Sequence, residues 1–181
     1  GQVLPTGRLL ILADIVSEGM GALQFVRFKL KPLLTARFSH IPHFIIGDPS
    51  GAYRAQTDER SVFDILKAEG FNVRGAKTNN ISPRLAAVDN FLMGLAMDGL
   101  PRLLIDPGAV NVIRALRGGY RFKAKKDGEF DNTPEKNSHS HVADALQYLC
   151  LHADGGRTFG DLNGFGPARR EIKLASSKAW T

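Results

Sequence analysis

Residues 43–51, His-Phe-Ile-Ile-Gly-Asp-Pro-Ser-Gly, form a short apolar run that leads directly into a carboxylate. The run ends at Gly47, and Asp48 is followed at once by the turn-forming sequence Pro-Ser-Gly. Buried strands of open α/β sheets have this pattern, and the ligand sites of such sheets lie at the carboxyl ends of the strands. The pattern therefore predicts an α/β sheet in which Asp48 stands at the ligand-binding edge.

A second carboxylate follows near the start of a predicted helix, in the sequence Ser-His-Val-Ala-Asp-Ala-Leu at 140–146. Ser140 is the expected cap of this helix, and Asp144 lies within its first two turns. A fold that brings Asp48 and Asp144 together gives them the oxygen ligands that a hard divalent cation requires. Simpler interpretations stay open from the residues alone: Asp48 as the cap of an Asp-Pro turn, and Asp144 as an acid favoured by the helix dipole.

Segments of strand pattern and helix pattern alternate along the rest of the chain. Near-continuous apolar runs predict buried strands, and apolar residues spaced by three and four predict helices. Such alternation is typical of an α/β sheet with right-handed crossovers and helices on its faces. Pro32 is expected to kink or split one of the helices. The predicted elements are strands at 8–16, 43–48, 71–77 and 103–105, helices at 20–38, 61–69, 109–116 and 140–152, a helix that starts at Ser82-Pro83, and a hairpin that starts at Tyr120.

Composition places the chain among ordinary globular proteins. Its 181 residues are 43% hydrophobic and 23% charged, enough for one domain with a sizeable core. No apolar run approaches the roughly 18 residues of a membrane span, and the N-terminus lacks the pattern of a signal peptide. The single cysteine, Cys150, excludes disulfides and cysteine-based metal sites, and its apolar neighbours favour a small buried hydrophobe. We therefore expect a cytoplasmic protein.

Positive charge is concentrated in one part of the chain. The formal net charge is +6, and a basic balance favours a polyanionic partner such as nucleic acid. From Tyr120 onwards, basic residues alternate with apolar ones, as in a half-exposed strand whose charged face follows a phosphate backbone. A solvated hairpin face explains the same pattern equally well. The wider basic cluster, which contains no acid, consists of Arg114, Arg117, Arg121, Lys123, Lys125 and Lys126.

Seven short motifs occur in a fixed order between residues 1 and 152. They are Gly-Arg-Leu-Leu-Ile-Leu at 7–12, Glu-Gly-Met-Gly-Ala at 18–22, Gly-Asp-Pro-Ser-Gly at 47–51, Thr-Asn-Asn at 78–80 with Arg84, Leu-Ile-Asp-Pro at 104–107, Gly-Gly-Tyr at 118–120, and Lys-Asn at 136–137 leading into 140–146. This ordered set resembles the nuclease domain of the large terminase subunits of tailed bacteriophages. We expect residues 1–152 to form that domain and residues 153–181 to form a Gly-rich basic tail or linker.

The resemblance implies an RNase H-like fold, which is a mixed sheet with helices on both sides. It also implies cleavage of double-stranded DNA at carboxylates that hold two Mg²⁺ or Mn²⁺ ions. Asp48 matches the family's acid at the end of the fourth strand, and Asp144 matches the acid on the closing helix. The family's first strand and its acid lie upstream of Gly1, so the sheet is expected to lack its first strand.

Partners and setting are implied in the same way. In full-length family members a packaging ATPase domain precedes the nuclease domain. The protein works on double-stranded concatemeric DNA together with a small terminase subunit and the portal. These proteins act in the cytoplasm of the host bacterium, and no membrane partner is expected.

Other polar residues near the two acids are given separate roles. His141 lies one helical turn from Asp144 and is assigned to the catalytic group, where it would orient a water or contact a phosphate. Asp106 repeats the Asp-Pro pattern at a strand end and is expected to cap a turn. Asp14, on the first complete strand, is not assigned as a metal ligand. The residues predicted to contact DNA are Lys77, Arg84, Arg121, Lys123, Lys125 and Lys126.

Two alternatives to a packaging nuclease are kept open. The first is a catalytically silent basic module that binds DNA or assists packaging without metals, for which salt-sensitive but metal-independent DNA binding is the test. The second is another RNase H-like nuclease, of the resolvase or integrase type, which the Gly-Asp-Pro-Ser-Gly sequence and the order of the motifs fit less well.

Overall fold

The computed structural model describes residues 1–53, 60–124 and 129–155, which form an alternating series of short strands and helices. Within these ranges, no helix has the length and apolar character needed to cross a membrane. The strands are β1 Gln2–Val3, β2 Leu9–Ile11, β3 Ile45–Gly47, β4 Val73–Gly75, β5 Leu103–Ile105, β6 Phe122–Ala124 and β7 Phe130–Pro134. The helices are α1 Ala22–Phe25, α2 Lys31–Phe38, α3 Val62–Ala68, α4 Ile81–Met93, α5 Val110–Arg114 and α6 Ser140–Asp154, with π-helical turns at Val26–Leu30 and Ala115–Gly119 and a 3-10 turn at Pro49–Ala52.

The strands form one mixed ladder, one parallel pair and one hairpin. β2 pairs in parallel with β5 and antiparallel with β1, β3 pairs in parallel with β4, and β6 pairs antiparallel with β7. This confirms the predicted α/β class, with a mixed sheet flanked by helices, and the predicted hairpin. Among the described strands, β1 pairs only with β2 and β3 only with β4, so backbone pairing does not run continuously through the sheet. The expected lack of a first strand stays a prediction.

The strand predicted at 8–16 is shorter in the structure because its partner cannot continue the ladder. The Ile11 carbonyl accepts from the N–H of Asp106 at 2.9 Å, immediately after β5 ends. The next N–H of the partner that would face β2 belongs to Gly108, and it donates instead to Asp106 Oδ1 at 2.7 Å, while the Asp106 carbonyl accepts from the Ala109 N–H at 2.8 Å. The chain therefore leaves the sheet after Ile11, although its apolar character continues.

The main core lies between the β2–β5 pair and the two helices α4 and α6. Phe91 of α4 is 1% exposed, and Leu9 of β2 and Cys150 of α6 are fully buried. Burial raises the pKa of the Cys150 thiol to about 12, so the thiol is neutral and unreactive. The sequence prediction of a small buried hydrophobe at this position is confirmed.

A second, smaller core supports the turn that carries Asp48. The Phe63 ring of α3 lies directly against this turn, because a Cβ at Gly51 would stand only 2.6 Å from Phe63 Cε1. Glycine is therefore required at position 51 for the turn to close over the ring. The other buried members of this core are Val26, Leu66, Phe71 and Val73.

The helix predicted at 20–38 is present, and Pro32 is accommodated without a break. Helical structure runs from Ala22 to Phe38, but the turn Val26–Leu30 is π-helical. Pro32 has no N–H, and its ring crowds the carbonyl four residues earlier in a regular α-helix. The wider π turn just before it relieves that crowding. The expected kink is thus a local change of helix type.

A charge network joins the N-terminal helical segment to α3. The Glu69 carboxylate, at the end of α3, accepts from Arg27 Nη2 at 2.7 Å and from Lys31 Nζ at 2.6 Å. These bonds lower the pKa of Glu69 from 4.5 to about 2. A carboxyl group whose pKa is lowered by folding stabilises the fold above its ordinary pKa, and the contribution is lost as the pH falls through the folded value.

We therefore expect Glu69→Gln to make the melting temperature less dependent on pH in the acidic range. Between about pH 5 and pH 2, the melting temperature of the variant should fall less than that of the wild type, because the variant has no titrating group at this network. Thermal unfolding followed by circular dichroism across this range is the measurement, and the exposed Glu18→Gln serves as the control. Parallel curves for all three proteins would contradict the expectation.

Candidate active site

Asp48 stands at the carboxyl end of β3, in the turn that the sequence predicts. Its Oδ1 accepts from the Ser50 N–H at 2.8 Å, which caps the 3-10 turn. Partial burial acts to raise the pKa of Asp48, but hydrogen bonds from Ser50 and the Tyr148 hydroxyl, together with the charge of Arg84, outweigh it, so the pKa is lowered. Asp48 is therefore a carboxylate at neutral pH, and one of its oxygens already caps the turn.

Asp144 lies in the second turn of α6 and faces a guanidinium group from α4. Its Oδ1 accepts from Nη2 of Arg84 at 2.9 Å. The Arg84 side chain is only 8% exposed, against 40% for Asp144, and a buried guanidinium requires such a partner. Asp48 lies close enough for the charge of Arg84 to contribute to lowering its pKa. Asp144 therefore contacts the guanidinium directly, and Asp48 lies in its neighbourhood.

Tyr148 and Asn79 complete this arrangement, which we call the acid cluster (Asp48, Asn79, Arg84, Asp144 and Tyr148). Arg84 Cζ stands 4.6 Å from the centroid of the Tyr148 ring, within the range of a cation–π interaction. The Tyr148 hydroxyl donates to Asn79 Oδ1 at 2.6 Å and lies within hydrogen-bonding reach of Asp48. Burial and the nearby Asp48 raise the pKa of Tyr148 to about 12, so the hydroxyl keeps its proton and remains a donor.

Replacing Tyr148 with phenylalanine should weaken the acid cluster without emptying the space that the ring fills. We expect Tyr148→Phe to lower the free energy of unfolding by about 1–2 kcal/mol, because Asn79 Oδ1 loses its buried donor. Urea unfolding at neutral pH measures this. Tyr120→Phe is the matched control, since the structure records no hydrogen bond to that hydroxyl from the described residues. Equal losses for the two variants would show that the Tyr148 hydroxyl does not hold the cluster together.

The donor set of the acid cluster fits a hard divalent cation. Magnesium-like ions are bound through one or two carboxylates, with waters and substrate phosphates filling the other positions. Asp48 and Asp144 supply two carboxylates; Asp48 accepts from the Ser50 N–H and Asp144 from Arg84. Over residues 1–53, 60–124 and 129–155, no group of three or more Asp, Glu, His or Cys residues is placed to hold a metal ion. The acid cluster therefore offers two carboxylates to one such ion, and a second ion would require further ligands.

The other two acids that follow strands, Asp106 and Asp14, accept hydrogen bonds from backbone N–H groups. Asp106 Oδ1 accepts from the Gly108 N–H at 2.7 Å, which is the turn cap that the sequence predicts. Asp14 Oδ2 accepts from the Val112 N–H at 2.9 Å and Oδ1 from Asn111 Nδ2 at 2.9 Å, so this side chain caps α5. Neither carboxylate belongs to the acid cluster.

The start of α6 differs from the sequence prediction. Ser140 is the first residue of the helix and not its cap, because its Oγ accepts from the Asn137 N–H at 2.9 Å and donates to the Glu135 carbonyl at 3.0 Å. The hydroxyl thus ties down the loop before the helix. His141 is exposed and lines a cavity of about 710 Å³ whose walls do not include Asp48 or Asp144. Its catalytic assignment stays a prediction.

The predicted DNA-binding residues lie in different surroundings. The Lys77 ammonium lies beside Gly155 at the carboxyl end of α6, roughly 16 Å along the helix axis from Asp144 at 1.5 Å per residue. Arg84 is buried in the acid cluster. Arg121 Nε pairs with Glu135 at 2.9 Å.

Lys123 is exposed on β6, the strand whose alternating pattern favoured a phosphate-binding face. Lys125 and Lys126 lie outside the described residues. DNA contact therefore stays a prediction for the whole predicted set.

Two members of the acid cluster were not identified as site residues from the sequence. Tyr148 follows Asp144 by four residues, so the two side chains share one face of α6, and this spacing was the available signal. Asn79 belongs to the Thr-Asn-Asn motif at 78–80, for which the sequence predicts no site role. Arg84 was predicted to face DNA, and its burial against Asp144 depends on the packing of α4 on α6, which no local pattern reveals.

The mixed strand pairing and the flanking helices are consistent with the RNase H-like fold that the sequence predicts. A solved structure has a similar fold: the crystal structure of the g2p (large terminase) nuclease domain from the bacteriophage SPP1 with bound Mn. The match has a TM-score of 0.52 and 22% sequence identity, and it covers 82% of this chain and 72% of that chain. At this identity the likeness shows the fold. No family model and no curated protein matches the chain.

Proposed function

We propose that this chain is a metal-dependent endonuclease domain of the terminase type, which cleaves double-stranded DNA during viral genome packaging. The observation that supports the proposal is the acid cluster, in which Asp144 bonds to Arg84 and Asp48 lies nearby, in a fold similar to that of a terminase nuclease domain crystallised with Mn. The ordered sequence motifs add support from the amino-acid sequence alone.

Asp48 and Asp144 hold the divalent ion in this proposal, Mg²⁺ or Mn²⁺. When bound, such an ion activates the attacking water and neutralises charge at the scissile phosphate. Arg84 orients the Asp144 carboxylate through its 2.9 Å hydrogen bond, and Tyr148 fixes the guanidinium by stacking against it. Hydrolysis with two ions, the form that the resemblance implies, needs ligands beyond these two carboxylates.

The partners follow from the same proposal. The substrate is concatemeric double-stranded DNA, which the basic net charge of +6 favours. In a packaging protein the domain would work beside an ATPase domain, a small terminase subunit and the portal, in the host cytoplasm. His141, Lys77 and the basic residues of β6 are the proposed contacts to the DNA outside the acid cluster.

Nicking of supercoiled plasmid DNA by this chain tests the proposal. The chain is incubated with plasmid in Mn²⁺, in Mg²⁺ and in EDTA, and the nicked and linear forms are separated on a gel. We expect nicking in the presence of either metal and none in EDTA. Cleavage that persists in EDTA would contradict the proposed metal-dependent chemistry.

A catalytically silent DNA-binding module is the second candidate function. One observation favours it: Arg84 already neutralises Asp144, and the acid cluster contains no third acid among the described residues. In that case the plasmid would be shifted in a gel at low salt, equally with and without divalent ions, and would not be cut.

A further inference from the structure

A cleft beside α5 combines an apolar floor with cationic walls. It encloses about 590 Å³ and is open to solvent on one side. Two guanidinium groups and one imidazole line it, and no carboxylate does. We call it the α5 cleft; its lining residues are Pro107, Val110, Ile113, Arg114, Arg117, Gly119 and His139.

The two arginines of the α5 cleft present their charge to solvent. Arg114 ends α5, Arg117 follows three residues later at a kink in the chain, and both line the cleft. Both residues are exposed, and neither forms an ion pair with the described part of the chain. Arginine matches phosphate oxygens with its planar fork of donors, which makes an unpaired pair of this kind suited to a phosphate ligand.

Three acids lie near the cleft, and two of them are used in hydrogen bonds. Asp106, next to the lining residue Pro107, accepts from the Gly108 N–H at 2.7 Å. Arg114 and His139 also line the neighbouring 710 Å³ cavity, whose walls include Asp14 and Glu18. Both Asp14 oxygens accept hydrogen bonds from α5, so Asp14 serves the amino end of that helix while Arg114 stands at the other end. Glu18 is exposed and lines only the neighbouring cavity.

Close packing and hydrogen bonds hold together the wall of the α5 cleft formed by Gly119 and His139. Gly119 lies directly against the His139 ring, because a Cβ at this position would stand 2.6 Å from His139 Cδ2. Asn137 joins the two segments: its Nδ2 donates to the Gly119 carbonyl at 2.9 Å, and its Oδ1 accepts from the His139 N–H at 2.9 Å. The imidazole is thus positioned before any ligand arrives, which reduces the ordering cost of binding.

We propose that the α5 cleft binds the phosphodiester backbone of DNA and extends the DNA footprint beyond the acid cluster. This inference rests on the proposed function for the identity of the polyanion. His139 immediately precedes α6, and Asp144 follows five residues later, about 7.5 Å along the helix axis. The two sites therefore lie near the same end of α6 but about 140° apart around its axis, at about 100° per residue. In the proposal, one duplex passes this end of the helix and places backbone phosphates against Arg114 and Arg117, with sugars over the apolar floor.

The salt dependence of DNA binding tests the inference. Fluorescence anisotropy with a labelled duplex, in EDTA and at NaCl concentrations from about 50 to 200 mM, gives the slope of log K against log salt. The test variant is Arg114→Ala/Arg117→Ala. The charge-matched control is Lys29→Ala/Lys67→Ala, which removes two exposed cations from the π turn before α2 and from α3. Thermal unfolding verifies that both double variants are folded.

We expect the slope of the test variant to be shallower than that of the wild type by about 1.8, since each lost phosphate contact contributes about 0.9. The control should keep the wild-type slope. Equal slopes for test variant and control would overturn the inference. So would a test variant that keeps its DNA slope but loses binding of inorganic phosphate, because the cleft would then serve a free anion.

The outcome is independent of catalysis because binding is measured in EDTA. A chain that never nicks plasmid DNA and still shows the loss of slope would overturn the nuclease proposal and leave the α5 cleft as a DNA site. If the wild type nicks plasmid DNA in Mn²⁺ but the Arg114→Ala/Arg117→Ala variant keeps the wild-type slope, the nuclease proposal stands and the α5 cleft is overturned as a DNA site.

Discussion

Asp48→Asn and Asp144→Asn should each reduce metal-dependent nicking by about 100-fold or more. Charge stabilisation by a bound ion is worth several kcal/mol, and each ~1.4 kcal/mol corresponds to a factor of ten in rate. Both substitutions keep the shape of the side chain and remove the charge that the ion requires. Asparagine at position 48 also keeps an oxygen to accept from the Ser50 N–H, so the turn itself should survive.

Asp106→Asn is the matched control for these variants. Asp106 precedes a proline at the end of a strand as Asp48 does, and it caps the Gly108 N–H, but it lies outside the acid cluster. Its variant should nick plasmid at the wild-type rate. Retention of activity in Asp48→Asn or Asp144→Asn, or an equal loss in Asp106→Asn, would remove the acid cluster as the active site.

Phe91→Ala should be among the most destabilising single substitutions in the described part of the chain. Phe91 is 1% exposed in the main core, and Arg102 Cζ stands 4.3 Å from its ring centroid. Truncating a buried phenylalanine removes its transfer free energy and leaves a cavity, at a total cost of about 3–5 kcal/mol. Urea unfolding followed by circular dichroism gives the free energy of unfolding for the variant and the wild type.

Met93→Ala controls for the loss of an apolar side chain from the same helix. Met93 lies two residues further along α4 and is 87% exposed. Its removal should change the free energy of unfolding by no more than about 0.5 kcal/mol. Comparable losses for Phe91→Ala and Met93→Ala would show that α4 does not pack its Phe91 face into the core.

Features set by local pattern could be predicted from the sequence. The apolar run before Asp48 and the proline after it fixed a strand end and a turn, because both effects act within a few residues. The alternation of elements gave the α/β class for the same reason. The burial of Cys150 followed from its apolar neighbours on a helix.

Features that depend on long-range packing could not be predicted in this way. The pairing of Arg84 with Asp144 requires α4 and α6 to lie side by side. No local sequence pattern predicts a contact between residues 60 positions apart. The early end of β2 depends on the turn at Asp106–Ala109, distant in sequence, which uses the backbone groups that would continue the ladder. Ser140 matches the pattern of a helix cap, but its hydroxyl forms hydrogen bonds with the backbone of Asn137 and Glu135 in the preceding loop.

Direct binding of Mn²⁺ is the measurement that bears most closely on the acid cluster. Electron paramagnetic resonance of free Mn²⁺, titrated with wild type, Asp48→Asn, Asp144→Asn and Asp106→Asn, gives the affinity of each protein without DNA or turnover. We expect wild type and Asp106→Asn to bind alike, and the other two variants to bind at least about tenfold more weakly, since even outer partners of metal ligands cost that much. Equal Mn²⁺ affinities for all four proteins would contradict the assignment of Asp48 and Asp144 as metal ligands.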